Sequence, residues 1–283
     1  MSDNETVTHH RVCHLCEAMC GLVIQTEDER VVDIRGDRAD PLSRGHICPK
    51  AVALQDIHED PDRLRKPLKR VRSAPGVYHH EAIEWGEAFD LAADALATTI
   101  RDHGVDAVGA YFGNPAVHNY GMLTHQRNLF RHIRTRNRFS ATSVDQLPHH
   151  LVSLWCFGHM LLQPIPDVDR THYFLMLGAN PLASNGSLWT VPDVRRRLKD
   201  LRARGGKLVV IDPRRTETAE MASEHHFIKP GTDATFLLAM IHVLFRDGLV
   251  DPGAMTSHTD GVDEVGAAVT ELTPQWAEER TGI

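Results

Sequence analysis

Four cysteines lie within the first fifty residues, at Cys13, Cys16, Cys20 and Cys48, in the pattern Cys-x2-Cys-x3-Cys-x27-Cys. Thiolates that bind one centre must converge, and this spacing brings three from a single loop and the fourth from a distant one. Four thiolates suit tetrahedral zinc or an iron–sulfur cluster. Structural zinc sites usually pair their ligands twice, as CxxC or HxxxH. Here the second pair is missing, so the spacing favours an iron–sulfur cluster, with zinc the second reading and unrelated buried thiols the third. His14 lies in the same loop and could replace a thiolate, but four cysteines make that unnecessary. Cys48 is followed by Pro49 and Lys50. A lysine there is either a solvated surface charge or a cation that tunes the cluster and links it electrostatically to a neighbouring redox group.

Three further stretches carry polar groups suited to a phosphate-bearing ligand. Gly178-Ala179-Asn180-Pro181-Leu182-Ala183-Ser184 offers backbone N–H groups and small side chains. Asp212-Pro213-Arg214-Arg215-Thr216-Glu217-Thr218 combines a carboxylate for ribose hydroxyls or a purine edge with guanidinium groups for phosphate. Lys229-Pro230-Gly231-Thr232-Asp233 precedes a helix, and Asp233 is placed to grip a base. Any one of these alone is an ordinary turn. Three in succession at strand ends point to an extended nucleotide. No G-x-G-x-x-G and no Walker loop is present, so ordinary NAD or ATP binding is not indicated.

The elements that must position these groups can be read from periodicity. Gly21–Gln25 and Val31–Arg35 are short apolar runs around a Glu27-Asp28-Glu29 turn, which predicts a β-hairpin. Residues 60–80, rich in Pro and basic residues, read as a linker. Beyond Glu81 the texture alternates. Helices are expected at Trp85–Ile100, Tyr120–Ile133, Pro192–Arg204 and 233–247, the third with Pro near its start and Gly205-Gly206 at its end, the last capped by Thr232 or Asp233. Strands are expected at Val105–Phe112, Arg138–Ser143, Tyr173–Leu177, Lys207–Ile211 and Phe227–Lys229. A Gly113-Asn114-Pro115 loop, with His118 just beyond, follows the first of these. Cys156, in an apolar helix, is expected to be a buried core thiol. The fold class is therefore α/β, a small amino-terminal iron–sulfur domain with a β-hairpin followed by a parallel, Rossmann-like sheet whose ligands bind at the carboxyl ends of its strands. The domain division is 1–65, 66–137 and 138–283.

Composition excludes several classes. The chain has 283 residues and a net charge of −7, with 42% hydrophobic residues. That is ordinary globular composition and argues against generic nucleic-acid binding. No apolar run is long enough to span a membrane, and Met1-Ser2-Asp3-Asn4-Glu5 does not open a secretory signal. A cytoplasmic protein is expected, one in which clustered cysteines bind metal rather than form disulfides.

On these residues the sequence resembles the molybdopterin oxidoreductase family of formate dehydrogenases, nitrate reductases and dimethyl sulfoxide reductases. The cysteine run ending Cys-Pro-Lys is similar to the family's amino-terminal [4Fe–4S] domain. Gly-Ala-Asn-Pro-x2-Ser, Asp-Pro-Arg-x-Thr and Pro-Gly-Thr-Asp occur in the family's order. The resemblance implies that Cys13, Cys16, Cys20 and Cys48 ligate the cluster and that Lys50 relays electrons between cluster and pterin. It also implies that Gly178, Asn180, Pro181, Ser184, Asp212, Arg214, Thr216, Pro230, Gly231 and Asp233 hold one molybdopterin guanine dinucleotide. The implied cofactors are thus a [4Fe–4S] cluster and molybdenum, or tungsten, bis(molybdopterin guanine dinucleotide).

The family's protein ligand to the metal falls on a loop after a middle strand. Here Asp145 stands three residues before Pro148, the place of (seleno)cysteine in formate dehydrogenases. Gln146 follows it where those enzymes carry histidine, and Ser143 is a rival ligand. Without the resemblance Asp145 is a cap or loop carboxylate. Catalytic chains of the family run several hundred residues longer, so the resemblance implies an amino-terminal portion of a molybdenum-dependent oxidoreductase. Its implied partners are a small-molecule redox substrate, an electron-carrier protein or subunit, and a carboxyl-terminal portion. Two alternatives are a non-catalytic iron–sulfur electron-transfer or scaffold subunit, as in respiratory complex I, and a zinc-stabilised nucleotide-binding module.

Overall fold

The amino-terminal cysteine region is built on an antiparallel sheet of β1 (Val7–Val12), β2 (Gly21–Glu27) and β3 (Arg30–Gly36). The computed structural model describes residues 5–28, 30–113 and 115–283. The expected hairpin is β2–β3, with Glu29 of its turn outside the described residues; β1, a largely exposed strand without alternating apolar residues, is an addition. The inner face of this sheet packs Leu22 and Ile34 with Cys13, Ala18, Cys20 and Ala51. The loop from β3 to Cys48 is held against the sheet. Ser43 donates both its N–H and its hydroxyl to Asp40 Oδ2 at 2.6 Å, and the Gly21 N–H donates to Ser43 Oγ at 3.0 Å. A Cβ on Gly36 would lie 2.0 Å from the Gly45 carbonyl oxygen, so only glycine permits this approach.

The Ser43 hydrogen bonds hold the Asp40 carboxyl below its ordinary pKa. A depressed carboxyl stabilises the fold above its unfolded pKa, about 3.9, and that contribution is lost as pH falls through the lower folded value. Asp40→Asn is therefore expected to lower the urea midpoint of this region at pH 7 and to lower it by less at pH 3, inside the range over which the contribution is lost. A midpoint shift of equal size at both pH values would show that the charge contributes nothing.

Short helices α1 (Pro49–Val52) and α2 (Leu54–Glu59) follow Cys48. The expected linker is instead a second hairpin, β4 (Leu68–Ala74) and β5 (Val77–Ala82), turning at Pro75-Gly76. Its strands are nearly all exposed, so they lack the alternation that marks a half-buried strand. Then come α3 (Trp85–His103), β6 (Ala110–Phe112), α4 (Pro115–His118), α5 (Tyr120–Ile133), β7 (Arg138–Ser140), α6 (Thr142–Asp145) and α7 (Leu147–Phe157). β6 and β7 pair in parallel. Both are shorter than expected, because residues 105–107 form a 3₁₀ turn and Thr142 starts a helix. Cys156 on α7 is exposed, which corrects its reading as a core thiol.

Residues 166–283 form a separate unit from those before Pro166. β8 (Tyr173–Leu177), β9 (Lys207–Ile211) and β10 (Glu224–His226) make a parallel sheet in the order β10-β9-β8. β10 lies just before the expected Phe227–Lys229 run, whose Ile228 packs on β9 instead of pairing with it. Between β8 and β9 run α8 (Pro181–Ser184) and α9 (Val194–Ala203), and α10 (Glu217–Met221) links β9 to β10. Asp193, at φ 55°, precedes α9, so Pro192 lies outside the helix.

On one face of the sheet Val194, Leu198 and Leu201 of α9 pack on Met176, Leu208 and Val210. On the other, Val209, Ile211 and Ile228 meet Phe236 of α11 (Asp233–Arg246). Burial on both faces explains the unbroken Leu-Val-Val-Ile run of β9. Thr232 stands at the cap position of α11, but its hydroxyl donates to the Lys229 carbonyl instead of capping. Helices α12 (Val262–Ala268) and α13 (Pro274–Thr281) complete the unit.

Candidate functional site

Cys13, Cys16 and Cys20 gather in the apolar cluster on the sheet's inner face. The Cys13 N–H donates to the Cys20 carbonyl at 2.8 Å, closing the loop, and Met19 takes a left-handed φ of 48° to make the turn. Cys48 stands immediately before α1, placing Lys50 in that helix with its side chain exposed. Cys13 and Cys20 are buried, while Cys16 and Cys48 are half-buried.

Burial pushes the Cys20 thiol up to about 11, and the charges of Cys13, Cys16 and Cys48 push it the same way. Burial likewise raises Cys13, with Cys16 and Cys48 adding to it, and the Lys50 charge opposes the rise. Cys13 and Cys20 thus lie within electrostatic reach of each other and of Cys16 and Cys48, and Lys50 lies within reach of Cys13. Among the described residues no three His, Cys, Asp or Glu side chains close on a single ion. Zinc would draw four sulfurs to about 2.3 Å from one point. A polynuclear cluster instead shares several irons among four cysteines.

In the carboxyl-terminal unit, parallel pairing sets Leu177 of β8 and His226 of β10 level with Ile211 of β9. The three strand-end loops therefore leave the same edge of the sheet. The first two are bolted together by Asn180. Its Oδ1 accepts from the Thr218 hydroxyl at 2.7 Å and from the Thr218 N–H at 3.3 Å, and its amide donates to Glu217 Oε2 at 2.7 Å. Asp212 is buried; its Oδ1 accepts from the Arg214 N–H at 2.7 Å. Thr216 is buried and caps α10 through the Ala219 N–H.

Gly178 and Gly231 take φ of 59° and 81°, and Pro181 is buried at the start of α8. Pro230 is exposed, Asp233 is half-buried at the first turn of α11, and Ser184, Arg214 and Arg215 are exposed. Asn180, Asp212 and Thr216 thus shape the loops, while Ser184, Arg214, Arg215 and backbone N–H groups are what these loops present to a ligand.

Asp145 and Ser143 lie in the first unit, beyond the carboxyl end of β7. Asp145 ends α6 and lines a pocket of about 730 Å³. Ser143 is exposed, donates weakly to the Ser140 carbonyl at 3.5 Å, and is not part of that pocket's lining. Of the loop after β6, Gly113 lines the pocket, Asn114 lies outside the described residues, and His118 has a buried Nε2 without a partner.

The pocket also contains residues that motif reading missed: Gln126, Arg127, Arg131, Arg134 and Arg138. Arg127, Arg131 and Arg134 recur at helical spacing along α5 and just past its end, so they share a face. Arg134 is the left-handed cap of α5, and buried Thr135 donates to the Val108 carbonyl at 2.6 Å, which fixes the turn into β7. A signal for them was present. Between Asp106 and Asp145 the sequence holds five arginines and no carboxylate, in a chain whose net charge is −7.

Fold and site together define an α/β chain with a four-thiolate cluster motif and a nucleotide-type edge on a parallel sheet. Residues 6–59 match the family model for the molybdopterin oxidoreductase Fe4S4 domain, and residues 63–270 match that for molybdopterin oxidoreductase. The chain belongs to the molybdopterin oxidoreductase family, and its cofactors are a [4Fe–4S] cluster and a molybdenum or tungsten molybdopterin.

It is 26% identical to the alpha subunit of an F420-dependent formate dehydrogenase of Methanocaldococcus jannaschii, over 96% of this chain and 38% of that protein. It is 26% identical to the thiosulfate reductase molybdopterin-containing subunit of Salmonella typhimurium, over 97% of this chain and 34% of that one. The acetylene hydratase structure from Pelobacter acetylenicus superposes with a TM-score of 0.76 at 28% identity, over 96% of this chain and 36% of that one. The chain thus spans less than two fifths of the length of these relatives. No described helix is long and apolar enough to cross a membrane.

Proposed function

We propose that the chain is the cluster-bearing portion of a molybdenum- or tungsten-dependent oxidoreductase that passes electrons between a metal–pterin centre and its [4Fe–4S] cluster. The observation that carries this reading is the gathering of Cys13, Cys16 and Cys20 in one apolar cluster, with Cys48 in electrostatic reach of Cys13 and Cys20 and Lys50 in reach of Cys13, on a chain that also carries a nucleotide-type sheet edge. When bound, the metal–pterin centre supplies two-electron exchange with a small substrate, and the cluster takes electrons singly.

The remaining steps belong to this chain's residues. Cys13, Cys16, Cys20 and Cys48 would hold the cluster beside the apolar face of the small sheet, and Lys50 would offset its negative charge. The loops carrying Gly178, Asn180, Pro181 and Ser184, then Asp212, Arg214 and Thr216, then Pro230, Gly231 and Asp233, seat one of the two dinucleotides of a bis(molybdopterin guanine dinucleotide). Asp145 binds or flanks the metal; its place in the pocket lining, and the absence of Ser143 from it, favour Asp145 over Ser143. The domain roles are cluster domain at 1–65, first α/β segment at 66–137 and dinucleotide-binding domain at 138–283.

The substrate is of the formate type or of the oxyanion and S-oxide type, given relatives named for formate and for thiosulfate. The electron partner is a carrier protein or further subunit, since the formate-type relative is itself named a subunit.

In the molybdenum-loaded enzyme, Asp145→Ala is expected to change the molybdenum EPR signal, while Ser143→Ala leaves it as it is. An unaltered signal in Asp145→Ala would remove Asp145 from the metal's coordination.

A further inference from the structure

Electrons that enter or leave the cluster need a surface on which a carrier can settle, and one lies beside the cysteine core. We propose that the basic segment after α2, together with the β4–β5 hairpin, is the docking face for a small acidic electron-carrier protein. The inference rests on the reading that the chain exchanges electrons through its cluster.

Positive charge is concentrated here. Between Asp62 and Glu81 six of the eighteen residues are Lys or Arg and none is Asp or Glu, in a chain whose net charge is −7. All six are exposed. Lys66 and Lys69 are neutralised by Glu84 at 2.6 Å and Glu87 at 3.3 Å. The four arginines touch only neutral groups among the described residues. Arg63 donates to the Ile57 carbonyl at 3.5 Å, Arg65 to the His58 carbonyl at 3.4 Å and Arg72 Nε to the Ala74 carbonyl at 3.4 Å, while the Arg70 guanidinium lies 4.2 Å from the centre of the Tyr78 ring. Each contact orients a guanidinium and leaves its charge uncompensated.

These contacts also tie the segment to the cluster domain. Ile57 and His58 belong to α2, and Leu54 of the same helix packs on the core that contains Cys13, Cys16 and Cys20. The carbonyl that anchors Arg63 is thus about one helical turn from a residue of the cysteine core.

Two features separate this face from an ordinary solvated one. Its uncompensated cations are all arginines, the basic residue enriched where protein partners meet. Apolar side chains are exposed beside them: Leu64 is 70% exposed, and Val52 and Ile57 are each 51% exposed. Arginines around exposed aliphatic groups suit a protein partner that presents carboxylates around an apolar patch, and opposite charge steers the encounter. The acidic chain as a whole disfavours nucleic acid.

The test is calorimetric titration of the iron-loaded chain with a plant-type [2Fe–2S] ferredoxin, which is acidic, at low ionic strength. Basic cytochrome c and phosphatidylserine vesicles are run beside it. The variants are Arg70→Gln/Arg72→Gln and Arg63→Gln/Arg65→Gln, with Arg195→Gln/Arg196→Gln on α9 as a control that removes the same charge elsewhere. Saturable ferredoxin binding is expected, weakened by sodium chloride, weakened tenfold or more in either of the first two variants, kept in Arg70→Lys/Arg72→Lys, and unchanged in the control. Cytochrome c is expected not to bind.

No saturable ferredoxin binding, equal affinity in the first two variants, or an equal loss in the control overturns the proposal. Binding to the vesicles without binding to ferredoxin also overturns it, because the face would then serve an anionic lipid surface. Iron content and bleaching by dithionite are read in the same samples without a carrier. A chain that holds iron and bleaches but does not bind ferredoxin loses the docking face alone; a chain without iron loses the electron-transfer reading and the inference with it.

Discussion

Cys16→Ser is expected to lose nearly all of the chain's iron and its visible absorption, while residues 166–283 keep their fold. Cys16 is the informative choice because it is only half-buried. Removing its sulfur disturbs packing less than removing that of Cys13 or Cys20, which lie in the core of the small sheet. A thiolate is far the better iron ligand, and a cluster short of one attachment is open to solvent and to dissociation.

Assembly also runs against the protons on these thiols, since Cys20 is pushed up to about 11 by burial and by its neighbours. Metal loading releases those protons and is favoured by rising pH. Far-UV circular dichroism and the unfolding midpoint of the carboxyl-terminal unit check that the fold survives. Undiminished brown colour and iron in Cys16→Ser would remove Cys16 from the ligand set.

Leu198→Ala is expected to cost about 3 kcal/mol, a large share of the stability of a typical domain. Leu198 on α9 is fully buried in the core that includes Met176 of β8 and Leu208 and Val210 of β9. Truncation leaves a cavity that the rigid sheet cannot fill, and it lowers the melting temperature of residues 166–283 by about 10 °C. Because the first two loops are joined through Asn180 and Thr218 above this core, any dinucleotide binding weakens with it. Iron content stays unchanged, because the cysteines belong to the other unit. Differential scanning calorimetry measures the effect; a change below 1 °C would mean that Leu198 does not anchor the sheet.

The parts of the fold that were legible are those in which burial writes a period into the sequence. The β2–β3 hairpin, β8, α9 and β9 were found because each carries an apolar run or stripe bounded by turn residues. β4 and β5 read as linker because both faces of that hairpin are exposed and basic residues break any alternation. β10 was displaced by a few residues because the apolar Phe227-Ile228 pair resembles a strand, while the pairing falls on Glu224–His226, where the side chains are polar.

Cys156 illustrates the converse. α7 is mostly apolar in composition, the pattern of a buried helix, yet Leu151, Trp155 and Phe157 are exposed along with Cys156, while His150 and Ser153 are buried. Periodicity reports what a helix is able to bury and carries no information about what covers it.

The site divides in the same way. The cysteines were legible because metal ligation needs rare residues at restricted spacing. Asp212, Asn180 and Thr216 were legible as loop residues but not in their detailed roles, because buried hydrogen bonds to Arg214, Thr218 and Ala219 depend on contacts far apart in sequence. The arginines of α5 match no motif. They became visible only when the helix brought their side chains to one pocket, although the charge imbalance around them was already written in the sequence.

The most direct test of the central claim is the metal content of the anaerobically purified chain. About four irons per chain is expected for one [4Fe–4S] cluster, accompanied by molybdenum or tungsten where the dinucleotide is retained. About one zinc per chain with no iron would contradict the account.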